Sequence, residues 1–293
     1  MHVAVCIKSA HHEVYQQKMR WFAEGVSDPC DVVDWIDLPA NHKSYTPVIY
    51  GSVKKTRGAA HHRIKSQVFD HARPFVMLET PLVHRRADTI DHGWLRVGVN
   101  GFLWDQADWG FEHMDPTRKI VEPIEWRKKG DHILILMQNP GDASLRGADI
   151  FEWVENTVIE LRKHTDRPIR IRPHPLPNKQ QKLEQLKQKL TDVTFVENKL
   201  PDNLRPLYED FKNCWCVVTY SSGSSVDAVM AGIPNIACDT GNMAWPISST
   251  KLDMIEEPYT GDTELWEQQI SHCQFSIEEL RNGICWNHIR QSL

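Results

Sequence analysis

Val217-Val218-Thr219-Tyr220-Ser221-Ser222-Gly223-Ser224-Ser225-Val226-Asp227-Ala228-Val229-Met230-Ala231-Gly232-Ile233-Pro234 is the stretch that decides the fold. A short β-branched run ends in small hydroxyl residues around one glycine. A helix-forming segment follows, and Gly-Ile-Pro leads into a second apolar run, Asn235 to Cys238. This is a strand–loop–helix–strand unit whose loop sits at a helix N-terminus. Unpaired N–H groups and the positive end of the helix dipole make such a loop an anion site. Gly223 lets phosphate oxygens approach, and Ser221, Ser222, Ser224 and Ser225 add donors. One or two serines satisfy a helix cap. Four around a glycine exceed that need, so the loop reads as a diphosphate cradle.

Working outward, the same alternation recurs. His132 to Gln138 reads as a strand, Asn139 to Ser144 as a loop and Ala148 to His164 as an amphipathic helix. Pro168 to Arg172 is a strand closed by Pro173-His174-Pro175, and Val193 to Val196 is another. In the N-terminal half, His2 to Ile7, Asp31 to Ile36, Pro47 to Tyr50 and Pro74 to Leu78 read as strands separated by helical segments. Strands alternating with helices predict α/β architecture with parallel sheets. The expected organisation is two Rossmann-like lobes facing across a cleft. Residues 1–125 form the first lobe and 126–275 the second, while 276–293 form a C-terminal helix packing back on the first. Gly93 to Arg118, rich in aromatics, is expected to be irregular. Cys214 and Cys216, two apart in an apolar run, are expected on one face of a strand.

Bulk composition narrows the class. The chain has 293 residues, 41% hydrophobic and 25% charged, an ordinary globular balance. No apolar run approaches the ~20 residues that span a bilayer, and no signal peptide is read at the start. Seven unpaired cysteines fit reduced thiols, and the expected location is the cytoplasm. Fifteen histidines include no pair with convincing zinc-ligand spacing, so no metal is expected. A net charge of −5 argues against general affinity for nucleic acid. Charge is nevertheless uneven: Lys54, Lys55, Arg57, Arg63, Lys65 and Arg73 surround a single acid, Asp70. A local basic face on an acidic protein can bind a polyanion, or can be a solvated helix face.

Three elements follow strands in the second half: Gln138-Asn139-Pro140-Gly141-Asp142, Arg172-Pro173-His174-Pro175, and Tyr220 with the Ser221–Ser225 loop. In a parallel sheet all three line one edge, where ligands bind. His174 is held between two prolines, so its ring is pre-positioned to donate to a phosphate or leaving oxygen.

Arg-Pro-His-Pro followed by Tyr-Ser-Ser-Gly-Ser-Ser…Ala-Gly-Ile-Pro resembles the donor half of GT-B glycosyltransferases, in particular the capsule, sialyl- and Kdo-transferase-like group. The resemblance runs from about Asp131 to Asp239. It implies that His174 and the loop serines contact the nucleotide phosphates. It also implies metal-independent transfer with inversion, with a nucleotide-diphosphate sugar as co-substrate and no bound cofactor; UDP is the default by resemblance to phage systems. The segment Arg96-Val-Gly-Val-Asn-Gly-Phe-Leu…Arg118 resembles glycosyltransferase-like proteins of bacteriophages, some of which glycosylate 5-hydroxymethylated pyrimidines in their own DNA. With the basic stretch, that resemblance makes duplex DNA the expected acceptor, in the host cytoplasm. Lys54, Lys55, Arg57, Arg63, Lys65, Arg96 and Trp104 are the expected acceptor contacts, and an aromatic such as Trp104 suits a base taken out of the stack.

Inverting transfer needs a general base. Asp105, in the aromatic segment, and Glu79, at a strand end, are the first candidates; Asp108, His11 and His12 are others. Three further readings stand beside the DNA transferase: transfer to a saccharide or lipid-linked acceptor, sugar-nucleotide epimerisation, and DNA binding without catalysis.

Overall fold

The computed structural model describes residues 1–7, 13–34, 45–51, 74–84, 93–175, 179–197 and 206–293. Lys54, Lys55, Arg57, Arg63 and Lys65, with His11 and His12, lie outside the described residues. By its contacts the chain divides into two units. One comprises Met1–Phe102, Gln106–Val121 and Glu267–Leu293, the other Leu103–Asp105 and Glu122–Trp266.

The first unit opens with β1 (Val3–Ile7), α1 (Glu13–Glu24), β2 (Cys30–Asp34), β3 (Thr46–Tyr50) and β4 (Val76–Glu79). β1, β3 and β4 are continuous apolar runs, as expected of parallel strands covered on both faces, and β1 pairs in parallel with both β2 and β3. Met19 and Phe22, one turn apart on α1, pack on this sheet. The segment expected to be irregular contains a regular strand, β5 (Trp94–Val99), antiparallel to β4. Its alternation is hidden because Trp94 and Arg96 are half-buried while Leu95, Val97, Gly98 and Val99 are buried.

The second unit is built from β6 (His132–Leu136), α2 (Ile150–Leu161), β7 (Ile169–Arg172), α3 (Gln180–Lys189), β8 (Thr194–Phe195), α4 (Leu207–Asp210), β9 (Cys214–Thr219), α5 (Ser224–Met230) and β10 (Asn235–Ala237). All its strand pairs are parallel, in the order β10-β9-β6-β7-β8. Ile133 and Ile135 pack with Val154 and Val158 of α2 on one face. Leu134 and Leu136 pack with Ala228 on the other. The two crossover helices therefore cover opposite faces.

One expectation fails here for a local reason. Between His132 and Ile133 the pairing with β9 skips Trp215, a β-bulge. The extra residue breaks the two-residue alternation. Cys216 joins the α2 face, while Cys214 joins the opposite face. The Trp215 indole N–H donates to the Ile255 carbonyl at 2.7 Å.

The chain returns to the first unit through α6 (Glu264–Cys273), β11 (Gln274–Ser276), α7 (Ile277–Arg281) and α8 (Ile284–Ile289). β11 adds to β5 as an antiparallel edge, giving the order β11-β5-β4-β3-β1-β2. The long terminal helix read from the sequence is two helices, broken at Gly283, whose φ of 77° suits glycine. Arg118 ties this return segment down. It donates to the carbonyls of Ser271 and Gln274, pairs with Glu279 and lies over the Phe275 ring. No described helix is long and apolar enough to cross a membrane.

Candidate functional site

Order in the second sheet reverses at β6: β7 and β8 extend to one side, and β9 then starts on the other. Loops leaving a parallel sheet at such a point part to opposite faces and leave a crevice at the carboxyl edge. Register places the strand ends level there. Leu136 stands opposite both Arg172 and Thr219, and Thr219 opposite Ala237. Gln138, His174, Ser221 and Asp239 each follow one of these ends by two residues. The structure thus brings together, on one rim, the three elements singled out from the sequence.

The rim at the reversal is tied by Gln138. Its Oε1 accepts the Ser221 N–H at 2.9 Å, and its Nε2 donates to the Ser144 hydroxyl at 2.8 Å and the Ser221 hydroxyl at 3.2 Å. The Ser221 hydroxyl donates to the Ser144 carbonyl at 2.6 Å. The Asp142 carboxylate accepts from the Ser144 N–H and hydroxyl, at 3.1 and 2.9 Å. Neighbouring Asn139 is half-buried, and its Oδ1 is buried with no hydrogen-bond partner. Gly141 is exposed at φ 77°.

The four serines divide into two kinds. Ser221 and Ser225 are buried and bonded to protein, Ser225 lying within 2.6 Å of Asn242 Oδ1 and 2.8 Å of the Ser222 carbonyl. Asn242 is fully buried, and its amide donates to the Thr219 hydroxyl and the Tyr220 carbonyl. Ser222, Gly223 and Ser224 are half-buried, and the Ser224 N–H turns back to the Ser222 hydroxyl at 3.2 Å. Ser222, Gly223 and Ser224 are therefore the groups of the loop that solvent reaches, with Ser221 and Ser225 holding the loop's shape. Sequence reading missed Asn242 and Ser144. Asn242 sits in Asp-Thr-Gly-Asn, which reads as a turn, and nothing local marks its side chain as buried.

Arg172 is buried and paired with the fully buried Asp210, so its charge is spent inside the unit. Half-buried His174 follows through Pro173. The Arg172 carbonyl accepts the Met137 N–H at 3.0 Å, which sets the His174 turn beside Gln138.

Asp105 belongs to the second unit, in the short segment Leu103–Asp105. Arg146 donates to its carboxylate, Nη1 at 2.9 Å, and the Thr240 hydroxyl donates to it as well. Asp239 lies 3.6 Å from the same guanidinium. Hydrogen bonding to Arg146 holds the Asp105 carboxyl below its ordinary range, and the Arg146 guanidinium is correspondingly raised. Tyr220 stands edge-on to Trp153 at 5.8 Å, and partial burial with nearby Asp239 raises its phenol. Burial pushes the Cys238 thiol up to about 12. Trp104, half-buried, donates its backbone N–H to the Gly241 carbonyl at 3.1 Å.

Glu79 and Arg96 sit in the first unit, opposite each other on β4 and β5. Glu79 is half-buried at the carboxyl end of β4, one residue beyond Leu78, which pairs with Tyr50. The Tyr50 ring meets Tyr15 at 4.8 Å. Burial, with Glu79 and Tyr15 close by, pushes the Tyr50 phenol far up.

No protein-family model and no curated protein matches the chain. Solved structures do match, among them two from Thermosulfurimonas dismutans. KpsC, named as a beta Kdo 2,4 transferase, matches with a TM-score of 0.56 at 13% identity, over 94% of this chain and 92% of that one. KpsC, named as a beta Kdo 2,7 transferase, matches with a TM-score of 0.54 at 13% identity, over 98% of this chain and 99% of that one. At this identity the likeness is one of fold, and it extends over nearly the whole length of each of these two transferase chains.

Proposed function

We propose that the protein is a glycosyltransferase that moves a sugar from a nucleotide sugar to a hydroxyl of a saccharide. The observation that carries this reading is the tied rim at the reversal of the second sheet, with His174 beside it, in a chain sharing the fold of two Kdo transferases. The donor phosphate meets Ser222, Gly223, Ser224 and the His174 imidazole. Developing charge on the departing phosphate oxygen is stabilised by these donors.

Glu79 is the proposed base. A base needs affinity for a proton, and the hydrogen bonds from Arg146 and Thr240 hold the Asp105 carboxyl below its ordinary range. Glu79 takes the proton of the acceptor hydroxyl as that oxygen bonds to the anomeric carbon. The bond from that carbon to the phosphate oxygen breaks, and its electron pair leaves with the nucleotide. Inversion at that carbon follows from a single displacement.

The names of the structural neighbours favour a saccharide acceptor over a DNA base. The basic residues Lys54 to Lys65 on which the DNA reading rests lie outside the described residues. Nucleotide release tests the reading. The protein, given a panel of nucleotide mono- and diphosphate sugars with oligosaccharides, should liberate nucleotide from one donor only when a saccharide is present. Release that is independent of saccharide, or absent with every donor, would reject it.

A further inference from the structure

We infer that Gln138 is the positioning residue of the donor site: it sets the two loops that part at the sheet reversal to one fixed spacing. This rests on the reading of that rim as the nucleotide-sugar site. The argument is a proton count. The Ser221 N–H can only donate, so the oxygen of the Gln138 amide must face it. That leaves both amide protons to the other side, one for the Ser144 hydroxyl and one for the Ser221 hydroxyl. Those hydroxyls pass their own protons onward, Ser144 to Asp142 and Ser221 to the Ser144 carbonyl. Each proton has one destination. The side chain is buried, so water cannot substitute for it.

Two loops are joined in this way. One leads from β6 into α2 on one face of the sheet, and the other from β9 into α5 on the opposite face. Their separation is therefore not fixed by either helix; the Gln138 amide spans it with three bonds, joined by the bond from the Ser221 hydroxyl to the Ser144 carbonyl. Ser222, Gly223 and Ser224 follow directly from the bonded Ser221. A shift at Ser221 moves the groups that meet the phosphate, without touching the acceptor.

The count also predicts what a carboxylate does in this place. Gln138→Glu keeps an oxygen for the Ser221 N–H but turns a second oxygen on two hydroxyls whose protons are committed. Protonating that carboxyl restores a donor, and burial near Asp142 raises its affinity for a proton above that of an ordinary glutamate.

Steady-state kinetics of the full chain test this, with wild type, Gln138→Glu and Gln138→Leu compared at about pH 7.5 and about pH 5.5. The expected result is a donor KM raised roughly 10- to 100-fold in both variants at the higher pH, with acceptor KM unchanged. Relative to wild type, the defect of Gln138→Glu shrinks at the lower pH and that of Gln138→Leu does not. Should Gln138→Leu not fold, the near-isosteric glutamate variant carries the test through its pH ratio. Donor KM within twofold of wild type in the variants, donor and acceptor KM rising together, or no pH difference for Gln138→Glu would overturn the inference alone. A wild-type protein that transfers no sugar from any donor would overturn the glycosyltransferase reading, and this inference with it.

Discussion

Arg146 Nη1 donates to Asp105 Oδ2 at 2.9 Å, and the Thr240 hydroxyl donates to that same oxygen. A carboxylate so engaged stays ionised far below neutral pH and binds a proton weakly. This is the ground on which Glu79, and not Asp105, is the proposed base. Glu79→Gln is expected to lower kcat by roughly 10²- to 10⁴-fold, the usual worth of a general base. Asp105→Asn should cost less than about tenfold, because a neutral amide can still accept from Arg146. Single-turnover rates at saturating donor measure both, and a larger loss at Asp105 would reverse the assignment.

The Arg172–Asp210 pair lies in the interior of the second unit. Removing one partner strands a buried charge. Asp210→Ala should destabilise by about 3–5 kcal/mol, whereas Arg172→Met with Asp210→Leu should recover most of it. Urea unfolding with an unchanged m-value reads the difference. A single variant no worse than the double one would show the pair to be solvated.

Gly232 has φ 73°, and a Cβ there would meet the Glu125 carbonyl oxygen at 2.2 Å. The same carbonyl region is fixed by Arg127, whose N–H donates to Gly232 O at 2.7 Å. Gly232→Ala is thus expected to cost more than about 1 kcal/mol, seen as a lowered midpoint in denaturant. An unchanged midpoint would mean that the 122–130 segment yields freely.

His272 is buried with Nδ1 donating to the Gln268 carbonyl at 2.8 Å and Nε2 accepting the Asp115 N–H at 3.0 Å. Protonation would destroy the second bond. Burial depresses its proton affinity below the ordinary 6.5, with Arg118 acting the same way and Asp115 and Glu279 opposing. The neighbouring His288, 5.3 Å away ring to ring, is depressed by burial as well. A folded state that refuses a proton accepted by the unfolded chain loses stability as pH falls below 6.5, and is insensitive to this group above it. His272→Gln should flatten the stability–pH slope between about pH 7 and pH 5. Carboxylates such as Asp115 act only at lower pH, below their ordinary 3.8. An unaltered slope would assign the effect elsewhere, to His132 or His288.

What could be read from the sequence was set by local signals. The run His132 to Leu136, and Thr219 giving way to Ser221-Ser222-Gly223, announce buried parallel strands and the loop between them. The loop's inner architecture was not legible. Whether Ser221 faces a ligand or Gln138 depends on which strand lies next to β9, and that is a topological fact. Asn242 likewise carries no local mark of its burial. Trp215 shows a second limit: a bulge set by pairing with β6 moves Cys214 to the other face, and no alternation pattern foretells it. β11 escaped notice because three residues, Gln274–Ser276, carry too short a pattern to stand out.

Product analysis tests the central claim most directly. Mass spectrometry would follow oligosaccharides and 5-hydroxymethylcytosine-containing duplex DNA, incubated in parallel with the protein and a panel of nucleotide sugars. The account predicts an oligosaccharide heavier by one sugar residue, with Glu79→Gln abolishing the product and the DNA unchanged. Sugar on the DNA and none on the saccharides would contradict the acceptor assignment, and no product in either arm would contradict the function.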